Sequence, residues 1–334
     1  MTWDGISWDG SASDAGRIGA GAVEPVAAPA PRGPRIGLAL GGGSARGWSH
    51  IGAIEVLEEA GIHPGVVTGC SIGAVVGGCY AAGQLGLLKA FALSLTKRRV
   101  VGLLDLRLGS GLIAGARLRQ RLERDLADRR VEHLAVRFAS VATDLGTGQE
   151  VWLTRGNLVE ALRASYALPG VFPPVRLGGR LLMDGTLVNP VPVGLARALG
   201  ADVVICINLN GDPREAGGPV ILEPVDPAGE APPAPIRRRR RPWHLLGGRR
   251  RPSPDMPSPG MARVMLDAFN ITQDKISRAR LAGDPPDVTI SPRLAGMGLF
   301  EFHRAAEGIA LGRDAARAAL PAIRATLASA AARV

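Results

Sequence analysis

From residue 65 to residue 88 the chain runs for 24 positions without a charged side chain, a length that would let a helix span a membrane. Six glycines interrupt the run, at 69, 73, 77, 78, 83 and 86, and each is a poor helix former. A short strand over 66–68, a tight turn over 69–71 and a buried apolar helix reaching about Ala82 explain this pattern better than a lipid-facing segment. Such a unit needs apolar partners on every side, so it belongs inside an α/β core.

The same order occurs just upstream. Residues 35–40 (RIGLAL) read as a strand, Gly41-Gly42-Gly43 end it, and 45–60 shows helical periodicity through Ile51, Ile54 and Leu57. Further helices are expected over 84–96, 116–127, 158–167, 192–199, 261–282 and 303–330, with strands over 136–142, 150–153, 180–183, 202–207 and 287–290. Alternation of this kind implies a layered α/β domain. Two stretches stand outside it: a Gly/Ala/Pro-rich tail over 1–33 and a Pro/Arg-rich loop over 211–259, both expected to be disordered. The folded domain then covers 34–210 and is completed by 260–334.

The formal net charge of +10 invites a nucleic-acid reading. Yet Arg237 to Arg241 and Arg249 to Arg251 carry eight positive charges with no acid between them, which leaves the remainder nearly neutral. Their segment, 211–259, also holds 12 of the 26 prolines. Arginine outnumbers lysine 37 to three along the chain, so arginine enrichment is weak support for a partner, and nucleic acid is not expected. Trp243, Leu245 and Leu246 lie between the two clusters and suit an anionic membrane surface contacted through Arg237 to Arg251; the alternative is a solvated linker. Cys70, Cys79 and Cys206 form an odd, sparse set inside apolar segments, which fits a reducing cytoplasm, and the N-terminus does not read as a secretory signal. A cytoplasmic protein is expected, peripheral at the inner membrane face if the basic segment binds lipid. Nothing in the sequence speaks to oligomeric state.

Chemistry concentrates at three places. Gly69-Cys70-Ser71-Ile72-Gly73 fits G-x-S-x-G, in which a serine sits on a cramped strand-to-helix turn flanked by small residues. Ser71 is the candidate nucleophile. The loop Gly41 to Gly47 offers backbone N–H groups at a helix start, suited to an oxyanion. It lacks the lysine of a phosphate-binding loop, since Trp48 follows Gly47, and Ser44 stands where a dinucleotide fingerprint needs glycine. A base is required as well. None of the five histidines stands in a telling turn, whereas Asp184 ends a strand and precedes Gly185, although Asp-Gly is also a common turn. No metal-ligand spacing or cofactor motif is present, so neither a metal nor a cofactor is expected.

In this order, GGGSARG, GCSIG and DGT resemble the patatin-like phospholipase family, nearest its bacterial neuropathy-target-esterase-like branch, over about residues 35–210. The resemblance implies a three-layer α/β/α fold with a central, mostly parallel sheet, and a lipid acyl hydrolase acting on acyl-ester substrates. It implies a dyad of Ser71 and Asp184, and an oxyanion loop of Gly42, Gly43, Ser44 and Arg46. Gly69 and Gly73 would shape the elbow and Gly185 would follow the aspartate. The segment SYALPGVFPP, with Leu168, Val171 and Phe172, would line an acyl groove. Ser44 stands where many members have a third glycine, and Thr186 where glycine or alanine is usual. Two other readings remain at this stage: a Ser71–Asp184–His303 triad in the chain order of α/β-hydrolases, and a non-catalytic membrane adaptor acting through the arginine-rich loop.

Overall fold

Alternating burial sets the two faces of the sheet. In β1 (Ile36–Leu40), Leu38 and Leu40 join one apolar cluster while Ala39 joins another, as period-two side-chain geometry requires. β7 (Val203–Ile207) repeats this, with Ile205 and Ile207 on the first face and Val204 and Cys206 on the second. Parallel strands covered on both faces are apolar throughout, and β2 (Val66–Cys70) and β7 are buried along their whole length.

The structure is a computed structural model that describes residues 33–98, 100, 120, 122–126, 128–210 and 260–333. The tail expected over 1–33 (all but its last residue), the basic loop over 211–259 and most of the helix expected over 116–127 lie outside these residues. The other strands are β3 (Arg137–Asp144), β4 (Glu150–Leu153), β5 (Val175–Leu177), β6 (Arg180–Asp184) and β8 (Val288–Ile290). They form one sheet in the order β5-β6-β3-β2-β1-β7-β8, with β4 also paired to β3. Neighbours from β3 to β8 run parallel; β4, β5 and β6 pair antiparallel. β8 follows the 211–259 segment yet pairs directly with β7, so residues from both sides of that segment build the same sheet.

The first face is covered by α1 (Trp48–Glu59), α2 (Ile72–Ala81), α3 (Leu85–Leu93), α4 (Leu158–Tyr166) and α7 (Ala305–Ala331). On the second face Val193 and Ala196 of α5 (Val193–Ala198) pack against Ala39, Val66, Val204 and Cys206, with Leu281 of α6 (Met261–Gly283) beside them. This is a three-layer α/β/α arrangement around a mostly parallel sheet. The uncharged run resolves into β2, α2 and the start of α3. Among the described residues no helix is long and apolar enough to cross a membrane.

One register positions the site. β2 pairs with β3 as far as Cys70 opposite Val141, and β6 pairs with β3 from Asp184 opposite Ala142 onward. β4 overlaps both stretches of β3 and therefore takes the other edge. β2 and β6 thus share one edge of β3 and run toward each other, so their C-terminal ends meet. The residue after β2 is Ser71, and the last of β6 is Asp184.

Candidate active site

Ser71 occupies the turn between β2 and α2 with φ 55° and ψ −123°, a left-handed conformation that costs a non-glycine residue about 1–3 kcal/mol. Its neighbours have to be small. A Cβ on Gly69 would stand 2.5 Å from the Gly73 carbonyl oxygen, and one on Gly73 would collide with the carbonyl of Leu40. The turn also places Ser71 at the N-terminus of α2, where the helix dipole favours negative charge.

The Ser71 hydroxyl donates to Asp184 Oδ2 at 2.7 Å. Asp184 is buried, and its other oxygen accepts the Thr186 amide at 2.9 Å and the Thr186 hydroxyl at 2.7 Å. Burial pushes the Asp184 carboxyl above the ordinary carboxylate range, and the bonds from Ser71 and Thr186 pull the other way. Gly185 lets the two strand ends close up, since a Cβ there would strike the Val141 carbonyl. Cys70, beside the pair, stays a neutral thiol because burial, followed by the Asp184 charge, holds its pKa far up.

The glycine loop reaches the same place, with its donors redistributed from the sequence expectation. The Gly42 amide donates to the Pro190 carbonyl at 2.9 Å, and the Arg46 amide to that of Gly43 at 3.2 Å. The Arg46 side chain holds the Met297 carbonyl at 3.0 Å, so it braces the loop. Gly42 and Arg46 are therefore framework, and among the described residues the loop amides without a protein partner are those of Gly43 and Ser44. Gly42 still packs at the centre, where a Cβ would meet Thr186 Cγ2. Ser44 has φ 53°, a glycine-like backbone carried by a serine. Behind the loop, buried His50 donates from Nε2 to the Gly41 carbonyl at 2.8 Å, and among the described residues its Nδ1 has no partner.

Gly43, Ser44, Ser71 and Asp184 open onto a narrow cavity of about 80 Å³. Gln273 and otherwise apolar side chains line the rest of it, among them Leu168, Phe172, Tyr166, Phe269, Phe300 and Phe302. Val171 is not among the residues that line it. Four of the six phenylalanines in the chain stand here, so aromatic surface is concentrated beside the serine. A larger cleft lies at the opposite end of the strands, around Arg35, Arg137 and Arg155, away from this chemistry.

His303 does not line the cavity. Among the described residues no hydrogen bond joins it to Asp184 or Ser71, whose side chains bond to each other and, from Asp184, to Thr186. The triad arrangement is thus not formed. Sequence reasoning placed Ser165 only at the start of the groove segment, without its role of receiving the Ser71 amide at 3.0 Å, and missed Gln273, whose Nε2 donates to the Thr186 hydroxyl at 2.6 Å. Phe269 and Gln273 lie four apart on α6, a spacing that puts them on one face and was legible in principle.

The patatin-like phospholipase family model matches residues 38–197. An uncharacterized NTE family protein of Mycobacterium tuberculosis is 34% identical over 337 aligned positions, spanning 86% of this chain and 92% of its own. Patatin-like phospholipase domain-containing protein 6 of Mus musculus is 35% identical over 185, spanning 53% of this chain and 14% of its own. Lysophospholipase nte1 of Emericella nidulans is 32% identical over 192, spanning 53% and 12%.

Proposed function

The chain belongs to the patatin-like phospholipase family, in its NTE-like branch, and from that premise we propose that it hydrolyses fatty-acyl esters through Ser71 and Asp184 alone, by way of an acyl-enzyme. The observation that carries this reading is the 2.7 Å bond from the Ser71 hydroxyl to Asp184 Oδ2, at the mouth of an aromatic-lined cavity.

Asp184 takes the hydroxyl proton as Ser71 Oγ attacks the ester carbonyl carbon. An aspartate is ordinarily a weak base at neutral pH; burial raises its affinity for the proton, which suits the task. The oxyanion is received by the Gly43 and Ser44 amides and by the N-terminal end of α2. Protonated Asp184 then gives its proton to the departing alcohol. A water enters and attacks the acyl carbon as the same carboxylate takes its proton, and Asp184 then returns that proton to Ser71 Oγ as the acyl bond breaks and the fatty acid leaves. The acyl chain lies against Leu168, Phe172 and Phe269, where burial of each methylene contributes about 0.8 kcal/mol.

The reading extends to a membrane surface as the source of substrate. α6 follows the arginine-rich segment, exposes Val264, Met265 and Ile271, and turns Phe269 to the cavity. Deleting 236–252 is expected to weaken sedimentation with anionic liposomes; unchanged sedimentation removes the membrane part of the proposal.

A fluorophosphonate probe tests the hydrolase itself. Purified protein is expected to carry one adduct, at Ser71, and to release p-nitrophenol from acyl esters, and Ser71→Ala is expected to do neither. Folded protein without a Ser71 adduct would instead favour the non-catalytic adaptor.

A further inference from the structure

The carboxylate of Asp184 can face Ser71 in one orientation only if its second oxygen is held, and the group holding it is itself held from another element. Thr186 Oγ1 lies 2.7 Å from Asp184 Oδ1 and 2.6 Å from Gln273 Nε2. The hydrogens assign themselves. An ionised carboxylate only accepts, so the Thr186 hydroxyl hydrogen points to Asp184, and the Thr186 oxygen is left to accept from an amide N–H. The opposite amide orientation would aim an oxygen at Thr186 and draw its hydrogen away from the carboxylate. Gln273 and Thr186 are both buried, which strengthens such a chain and makes a missing member costly.

We propose that Gln273 is a positioning residue for the dyad, acting through Thr186 to orient and keep ionised the Asp184 carboxylate that receives the Ser71 proton. The inference rests on the hydrolase reading above and adds a fixed relay, Gln273 to Thr186 to Asp184 to Ser71, in place of the third member of a triad. Its chemistry suits a neutral donor: glutamine supplies hydrogen bonds without titrating and without adding charge beside the carboxylate. The bonds from Thr186 counter the burial that raises the Asp184 pKa. Cys70, the titratable neighbour, is held neutral, so it does not compete for the proton. The relay also ties the dyad to α6, whose Phe269 lines the cavity one turn before Gln273.

The test is the pH dependence of fluorophosphonate labelling and of p-nitrophenyl butanoate turnover in the full chain, with melting temperature measured for each variant. Thr186→Val and Gln273→Leu are each expected to slow labelling at neutral pH about tenfold or more and to lower kcat with little change in KM. Both should move the acidic limb to higher pH, because each removes a bond that favours the charged carboxylate. Thr186→Ser, which keeps the hydroxyl, should retain the limb of the unsubstituted protein. Gln273→Glu, close in size and therefore the safer variant for folding, should move the limb up further, since its carboxylate draws the Thr186 hydrogen away and adds like charge. A limb left in place by Gln273→Leu and Gln273→Glu, or a change confined to KM, overturns the proposal and leaves the hydrolase intact. Absence of a Ser71 adduct in the unsubstituted protein overturns the hydrolase reading, and the relay falls with it.

Discussion

The backbone amide of Ser71 donates to the Ser165 hydroxyl at 3.0 Å, and that hydroxyl donates in turn to the Val141 carbonyl at 2.6 Å, so one side chain of α4 bridges the elbow to β3. Ser165 is buried, and the left-handed backbone of Ser71 is held from outside the turn. Ser165→Ala leaves an amide and a carbonyl unpaired at once. Each buried unpaired polar group costs about 1–3 kcal/mol, so the variant is expected to lose stability in that range and hydrolytic rate with it. Urea unfolding together with ester turnover checks both; full stability would show that the bridge does not hold the strained turn.

Asp184→Asn separates activity from stability. The folded-state pKa of Asp184 is raised by burial, so its contribution to stability is fully present below the unfolded pKa and is lost as pH rises through the folded value. At neutral pH, above the unfolded pKa, the raised folded value therefore works against folding. Asparagine keeps an acceptor for Thr186 and can donate to Ser71 without a charge. Turnover is expected to fall by about 10²–10⁴-fold, the usual contribution of a general base. The melting temperature at neutral pH is expected to equal or exceed that of the unsubstituted protein, and calorimetry showing a clear drop would contradict this.

His50 gives the glycine loop an acid-sensitive support. Burial lowers its pKa from 6.5 to about 4, against a smaller opposing effect of the Gly41 carbonyl. With the folded value depressed, stability is complete above 6.5 and is lost progressively as pH falls through 4, by about 3 kcal/mol at the limit. His50→Gln retains a donor for Gly41 but does not titrate. Its unfolding free energy between neutral pH and 4 is expected to fall less steeply, as urea titrations at several pH values would show.

What the sequence discloses is local, and what it withholds depends on contacts between distant segments. The elbow at Ser71 was legible because its strand, turn and helix are contiguous, whereas a strand end at Asp184 fits an ordinary Asp-Gly turn equally well and only the resemblance pointed to it as the base. Their meeting was not derivable, since it follows from β2 and β6 converging on one edge of β3. The loop donors illustrate the same limit: Gly42 and Gly43 look alike in sequence, and only the Pro190 carbonyl, far along the chain, takes the Gly42 amide. β5 was missed although Gly178-Gly179, both at positive φ, stands between Leu177 and Arg180 as a two-residue hairpin signal. Three residues make too short a run for periodicity. Val171 came with the resemblance of its whole segment, which does not say which of its side chains face the cavity, and Val171 does not line it.

The cavity makes acyl-chain length the property most open to change. Leu168 stands half-buried on the segment after α4 and lines the cavity together with Phe172, whose ring is braced edge-on by Tyr166 at 5.4 Å. A larger side chain there shortens the slot without entering the sheet core. Leu168→Trp is expected to exclude about two methylenes, worth about 1.6 kcal/mol, and so to lower the ratio of dodecanoate to butanoate kcat/KM by about tenfold. Labelling of Ser71 by a small fluorophosphonate should be nearly unaffected, because Leu168 makes no bond to Ser71 or Asp184. The p-nitrophenyl ester series from butanoate to dodecanoate reads the effect directly. If the ratio holds while labelling is normal, the chain of a long ester lies outside this cavity, and the aromatic wall around Phe269 and Phe172 is packing and not a substrate surface.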